Sequence, residues 1–595
     1  MPVFTPVADP NAEVKASIAK LVKEDVAETL ERREAARAMS DEDEKHLVDY
    51  CLECVKSSEN ATKETRQMQR ECLRIFQEKE PESYGLKEDW QSRVVIPKPY
   101  STVMFAQGVV RKAFDTDYFS IESATDEAAA TFWKKLMDRE LGENRSDFAT
   151  KFSDAVQMSF AIGQSLEMIP VWRPGRGLTY NLTEPWKIFR DPNALPREPQ
   201  SGMYWIHREW IDYYVLKKLE EEGRYSNVGS WSDYSDTKDL SQEETDAKKA
   251  LFRETSKFRK LVLVHEFWGT ILDKDGTAVL MPNATFTIAG NRVISKPELS
   301  PYPTMRWPGI SFSPLPDLLQ YDGRSILQSV RSLWYFMCSL MCLHNDLLNW
   351  VVNPPFEINI DALDNPTDTD NYPGKQYLVR NTASGQQAVR PVELRFRSGE
   401  VLANMAYADR NFQQGTCVTD AVAGLPGYRK DMTWRESAQN LEQGLSVFGL
   451  MGKNLEKGAI NALIAGAETI VANMGVDDLR GFIPDEELGA LYSKTSETKL
   501  ALPPLTSGNF HVSGVSTAMR NVELMQSIRD TILPLVERPA FARYMRPYYV
   551  LRSLEKRLNL VDEKIILSEK EALEADQLAR QQAQNQPPTV PGGAE

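Results

Sequence analysis

Cysteine and histidine are scarce in this chain, with six and five in 595 residues. So few cysteines do not make a disulfide framework, and synthesis in a reducing compartment is the default. No histidine stands in a nucleophile–base motif, which leaves hydrolytic catalysis without support. A phosphate-binding Gly-x-x-x-x-Gly-Lys-Ser/Thr loop is also missing. Gly449-Leu-Met-Gly452-Lys453-Asn454 has neither its spacing nor its final hydroxyl. His265-Glu266 is not followed by the second histidine that zinc proteases need, and Asp273-Lys274-Asp275-Gly276 lacks calcium ligands and reads as a hairpin turn. Cys51-Leu-Glu-Cys54 has His46 before it and Cys72 after it, but no second C-x-x-C and a helical context. Two helix cysteines explain it better than a zinc site. No catalytic residue, metal or cofactor is expected. The first residues also lack the charged-then-apolar form of a signal peptide.

Positive charge is short as well. The net charge is −15 and the pI near 5.2, which argues against gripping nucleic acid by neutralising its phosphates. The same balance suits a surface that lets nucleic acid slide past. Hydrophobic content of 42% and charged content of 26% are those of an ordinary globular protein, long enough for several domains.

What the chain does have is one long amphipathic stretch. From Gly323 to Val352 no proline or further glycine interrupts it, which predicts about 45 Å of helix at 1.5 Å per residue. Asn353-Pro354-Pro355 stops it, because proline lacks the N–H and restricts the residue before it. Ile326, Val330, Leu333, Met337, Leu340, Leu347 and Val351 form a packing stripe, with Leu327, Trp334, Met341 and Leu348 beside them. Gln328, Ser332, Tyr335, Ser339, Cys342, Asn345, Asp346 and Asn349 form an opposing wet stripe. Ser332–Val352 has about the length of a bilayer span. Yet His344, Asn345, Asp346 and Asn349 crowd its second half, and an intramembrane Asp is costly. Mean hydropathy for the whole chain is −0.43.

The remainder alternates helical and strand patterns. Residues 11–80 look helical and charged, and Asp41-Glu42-Asp43-Glu44 reads as a solvated helix start. Trp90 through Pro99 reads as an extended segment pinned by two prolines. Helices follow over Val103–Phe114, Ala128–Leu141 and Asp147–Ile162. After Gly163, strands are expected over Leu166–Trp172, Leu178–Leu182, Trp186–Phe189, Tyr204–Trp210 and Leu261–Gly269, with a polar loop over 224–248. Beyond the Pro-Pro stop come short strands and turns, then a helix over Glu400–Val422. A breaker at Ala423-Gly-Leu-Pro-Gly427 precedes Thr433-Trp-Arg-Glu436, a capping box that opens a long, bent helix to about Asn473. Leu500–Val515 looks extended, Thr517–Val536 and Asp562–Ala583 helical, and Gln584 to Glu595 disordered. Tyr428-Arg429-Lys430 lies in the loop before the capping box, where basic side chains would meet a DNA backbone if that loop faced the centre of a ring.

This order of segments resembles the tailed-phage portal family, the head-to-tail connector through which DNA passes. Trp90-Gln-Ser-Arg-Val-Val-Ile-Pro97 is similar to the start of the portal wing, and Gly163 through Trp172 to Asp191-Pro192 to its sheet. Gly323–Val352 resembles the first stem helix, Phe356–Phe396 the clip with Tyr372-Pro373-Gly374 as its turn, and Glu400–Val422 the second stem helix. Gly424 through Thr433 resembles the tunnel loop, and the last helices resemble the crown. The resemblance implies an α+β portal-like fold: an N-terminal charged helical segment (1–89), a wing (90–320, with 476–515 returning to it), stem helices (321–352 and 398–423), a clip (353–397), a tunnel loop with a long kinked helix (424–475), a crown (516–583) and a tail (584–595).

It further implies no enzymatic activity and a homododecameric ring at the capsid vertex, assembled in the host cytoplasm and carried in the virion. Double-stranded DNA would pass through the ring without sequence specificity in packaging and ejection. Partners would be terminase, then adaptor and tail proteins, with the major capsid protein or scaffold around it. Tyr428, Arg429 and Lys430 would face DNA; Gln328, Ser332, Ser339, Asn345, Asp346 and Asn349 would line the stem; Phe356, Tyr372 and Lys375 of the clip would meet partners. Two alternatives remain open from the residues. One is a DNA-processing enzyme such as a terminase or nuclease, which needs a nucleotide or two-metal site. The other is an assembly protein anchored in a membrane through 332–352.

Overall fold

The computed structural model describes residues 40–111, 119–121, 127–173, 175–196, 198–234, 260–302, 304–365, 367, 370, 375–380, 389–392, 398–418, 434–479 and 510–512. Over these it is a mixed helix and sheet structure, in keeping with the α+β class.

Helix α1 (Asp41–Phe76) starts where the acidic run predicts. Ser40 caps it by accepting from Asp43 N, and four acidic residues occupy its positive first turn. Helix α2 (Lys98–Arg111) takes Pro99 into its first turn, where the missing N–H costs nothing, so the extended segment ends at Pro97. Strand β1 (Phe119–Ile121) and helices α3 (Glu127–Leu141) and α4 (Phe148–Ile162) follow. α4 ends at Gly163, whose φ of 92° few other residues adopt.

Strands β2 (Glu167–Arg173) and β3 (Gly177–Thr183) form an antiparallel hairpin. Its turn is held by Glu140, fully buried between Arg139 and Arg145, whose carboxylate accepts the Leu178 amide at 3.1 Å. Gly177 sits at φ 84°, and a Cβ there would lie 2.2 Å from Glu140 Oε2.

Strands β4 (Ile188–Arg190), β5 (Tyr204–Asp212), β6 (Leu261–Leu272), β7 (Val279–Ala289) and β8 (Arg292–Leu299) make an all-antiparallel sheet in that order, with helix α5 (Tyr213–Glu221) after β5. The two-residue period sorts its faces. Tyr204, Ile206, Phe267, Phe286 and Ile288 pack against Leu47, Val48, Cys51 and Val55 of α1. Trp205 and Trp268 point the other way, toward Tyr302 and Trp307. Asp273 ends β6 in the expected turn, its carboxylate accepting from Thr277 N and Ala278 N.

The long helix departs from expectation. Helix α6 spans Arg331–Val352, 22 residues or about 33 Å. Residues 323–330 are turns instead, because a tertiary contact takes them out of the helix. Ser325 Oγ donates to Phe160 O and Ala161 O at the end of α4 and accepts from Leu327 N, while Arg324 N reaches Leu315 O. After α6, β9 (Phe356–Ile358) pairs antiparallel with β10 (Val389–Pro391), and an isolated bridge joins Leu363 to Val379. Helix α7 (Ser398–Thr416) then packs back along α6, and α8 (Trp434–Asn473) runs on as one helix, followed by a single turn at Val476–Leu479. Gly449 through Asn454 are thus helix interior, unlike a phosphate loop. Strand β11 (Phe510–Val512) pairs with β1. The main core joins α2, α3, α4, α6, α7 and α8 around Trp133, Phe148, Phe160, Trp334 and Phe412. Thr433 of the capping box, residues 235–248 of the loop expected over 224–248, and the expected helices beyond residue 516 lie outside the described residues.

Candidate functional site

The site is the α6–α7 hairpin with the β9–β10 pair at its end. Its base is tight: Ser329 Oγ donates to Gly415 O at 3.1 Å, and a Cβ on Gly415 would meet Val330 at 2.5 Å. Lys98 forms an ion pair with Asp409 of α7 and sits over the Phe412 ring.

A segment from far along the chain straps α6 on its inner side. Trp334 Nε1 donates to Ile96 O at 2.9 Å, Cys342 Sγ contacts Val94 N and Tyr84 OH, and Asp346 accepts from Ser92 N at 2.7 Å. Trp90 stacks on Trp350 with centroids 5.5 Å apart. Arg331 pairs with Glu71 of α1. The small thiols of Cys338 and Cys342 let this strap approach, and burial pushes the Cys338 thiol up, which keeps it protonated.

The packing seam is therefore rotated from the expected stripe. Trp334, Met337, Cys338 and Cys342 are the buried residues of α6. Cys342 belongs to the packed side although the wet pattern contains it. Leu348 and Val351, expected to pack, are exposed, and Leu340 and Leu347 are half-buried. The outward face instead carries Phe336 (49% exposed) and Leu343 (58%), with Trp350 (44%) seven residues further on at the edge where it stacks on Trp90. Ser332 and Ser339 repeat at the same interval beside them, and Asp346, next in that series, is taken by Ser92 N of the strap. The Phe336–Leu343–Trp350 spacing was readable in the sequence, but neither stripe included these residues.

The expected site residues are only partly brought together. Ser332, Ser339 and Asn349 are exposed on α6, while Asn345 and Asp346 are half-buried. Gln328 lies before the helix, half-buried in the turn. Phe356 is half-buried in β9, and Lys375 Nζ bonds Asp370 O at 2.5 Å. Tyr372, Tyr428, Arg429 and Lys430 lie outside the described residues.

The cysteines of the C-x-x-C region are spread along α1. Cys51 packs under the sheet, and Cys72 is buried farther along the helix. Burial pushes the Cys54 and Cys72 thiols up to about 12 and about 11, which disfavours the thiolate a metal requires. Among the described residues no group of three or more His, Cys, Asp or Glu is placed to hold a metal, and no helix is long and apolar enough to cross a membrane.

Residues 167–458 match the family model described as the phage SU10 portal protein. They run from β2 through the sheet and both hairpin helices into α8. The match places these residues in a phage portal protein family. No curated protein matches the chain. The portal assignment covers the α6–α7 hairpin whole, so the hairpin's outward face belongs to the family's shared region.

Proposed function

We propose that the chain is the structural subunit of a portal ring at a phage capsid vertex, without catalytic activity of its own. The ring is a homo-oligomer of about twelve copies, closed by heterologous contacts. Double-stranded DNA passes through it in packaging and ejection without being read. Terminase docks during packaging, adaptor and tail proteins dock afterwards, and the major capsid protein or scaffold surrounds it. In this reading residues 90–320, with 476–515 returning to them, are the wing, α6 and α7 the stem, 353–397 around the β9–β10 pair the clip, and 516–583 the crown.

The observation that carries the reading is the outward face of α6 within the matched portal region. A monomer that leaves Phe336 and Leu343 in water seven residues apart, with Trp350 half open beside Trp90, has an incompletely filled helix-packing seam. A neighbouring stem helix fills it. The adjoining polar line of Ser332 and Ser339, with Asn349 beyond, then faces the lumen, and Gln328, Asn345 and Asp346 lie at its margin. Tyr428, Arg429 and Lys430 form the DNA-facing tunnel loop. Phe356, Tyr372 and Lys375 belong to the docking tip. Light scattering on the purified chain tests this: a particle of ring mass is expected, and monomers under all assembly conditions would overturn it.

A further inference from the structure

The tip of the β2–β3 hairpin projects into solvent. A Cβ on Gly175 would meet nothing within 4 Å, and Arg173 and Arg176 are exposed on either side of it. Arg176 N donates to Arg173 O at 2.9 Å, so the two guanidinium groups leave one tight turn. Lys151 of α4 joins them, its Nζ donating to Thr179 Oγ1 at 2.9 Å. Arg139 and Arg145 stand at the root of the hairpin and share the carboxylate of Glu140. Five cations therefore gather around three acids, Glu140, Glu143 and Asp147, in a chain whose net charge is −15.

These charges sit together at a cost. Arg173 donates to the neutral Asn181 at 3.3 Å, and among the described residues neither it nor Arg176 nor Lys151 forms an ion pair with a carboxylate. The Lys151 ammonium is held below its ordinary value, first by partial burial and then by Arg173, which works against the pull of Asp147. Like charges side by side destabilise a fold, and an anion seated over them removes the penalty. The surroundings decide which anion. A docked protein needs apolar anchors at the centre of its contact. Among the described residues no large hydrophobic side chain is exposed between Phe105 and Leu195, the stretch that builds α3, α4 and the hairpin, or beyond Leu450 in α8. A phosphate backbone needs no such anchor, because charge and polar side chains hold it, and the planar fork of arginine matches its oxygens.

We infer that this tip is a nucleic-acid contact: Arg173, Arg176 and Lys151 hold the phosphate backbone of double-stranded DNA by charge, without reading its bases. The place is not the channel of the ring reading. Arg139 Nη2 also donates to Asp478 O at 3.2 Å, in the turn that follows α8. α8 begins just after the 424–433 loop and runs for 40 residues, about 60 Å. The cationic tip therefore lies toward the opposite end of that helix from the loop assigned to the lumen. It is a second contact, outside the channel, and it stands or falls separately from ring assembly.

Fluorescence anisotropy of a labelled DNA duplex, titrated with the full chain at several salt concentrations, tests it. Arg173→Ala with Arg176→Ala removes two phosphate contacts, so the slope of log K against log salt should flatten by about 2, at about 0.9 per contact. Arg176→Ala alone should flatten it by about 1. Among the described residues the Arg176 side chain bonds to nothing, so the melting transition of that variant should not move. Arg173→Lys with Arg176→Lys keeps the charge and should keep the slope. An unchanged slope in the alanine pair, or no salt-dependent binding by the wild type, would overturn the inference. A slope lost in the lysine pair as well would mean that charge is not what binds, and would overturn it too. Polyglutamate that binds as tightly as the duplex through the same two arginines would make the tip a protein contact instead.

Discussion

Leu343→Glu is the most informative single change to the stem. Leu343 is 58% exposed, so a charge there costs the monomer little, within about 0.5 kcal/mol. In the proposed ring the same position would lie at the centre of the seam, between Phe336 and Trp350. Fully burying a leucine contributes about 1.5–3 kcal/mol, and the exposed part of Leu343 accounts for about half of that. Burying an unpaired carboxylate adds a penalty of at least about 2 kcal/mol. The sum is about 3 kcal/mol per interface, more than a hundredfold in the pairwise constant at about 1.4 kcal/mol per factor of ten. The loss recurs at every contact around the ring. Sedimentation velocity should find monomers where the wild type assembles, with an unchanged melting transition. Leu343→Ala, which loses only the apolar contact, should assemble at about tenfold higher concentration. Wild-type assembly of Leu343→Glu would refute the seam, and a lowered monomer melting point would show that the residue belongs to the core instead.

Other consequences follow from the same geometry. Trp334→Phe keeps the ring in the core but leaves Ile96 O without its donor, and urea unfolding should show a loss of about 1–3 kcal/mol; a loss under about 0.5 would mean the strap does not hold α6. His265 is buried, accepts from Arg208 Nε at 3.1 Å and has its pKa lowered to about 3 by burial, then by Arg208 and His207. The unfolded chain takes up a proton there near pH 6.5 and the folded one does not, so this stability is whole above pH 6.5 and is lost as pH falls toward 3. Between pH 7 and pH 5 the wild type should lose about 2 kcal/mol more than His265→Leu, and equal losses in chemical denaturation would contradict this. Arg429→Ala with Lys430→Ala should leave assembly intact and alter packaging or DNA retention, and unchanged packaging would mean those residues do not face DNA.

Where local pattern decides, the sequence and the structure agree. The alternation in Tyr204–Trp210 and Leu261–Gly269 yields β5 and β6, and the Asp273–Gly276 turn closes β6 onto β7. The Glu127–Leu141 helix and the return of the chain along α7 were also legible. The failures come from contacts between distant residues. Gly323–Val330 is helical by composition, but Ser325 is claimed by the end of α4, 164 residues away. The orientation of α6 is set by a partner of Cys342, Val94, that lies 248 residues away, and no periodicity within the helix records it. Polar residues on that helix predict a wet face, yet Asp346 is bonded to Ser92.

In the proposed ring α6 is the wall of a channel. Electron microscopy of the assembled chain tests it most directly. The account predicts a ring of about twelve subunits with a central hole, α6 bordering the hole, and Phe336, Leu343 and Trp350 of each copy against its neighbour. An assembly without a hole, or one in which α6 lies on the outer surface with this face in solvent, would contradict it.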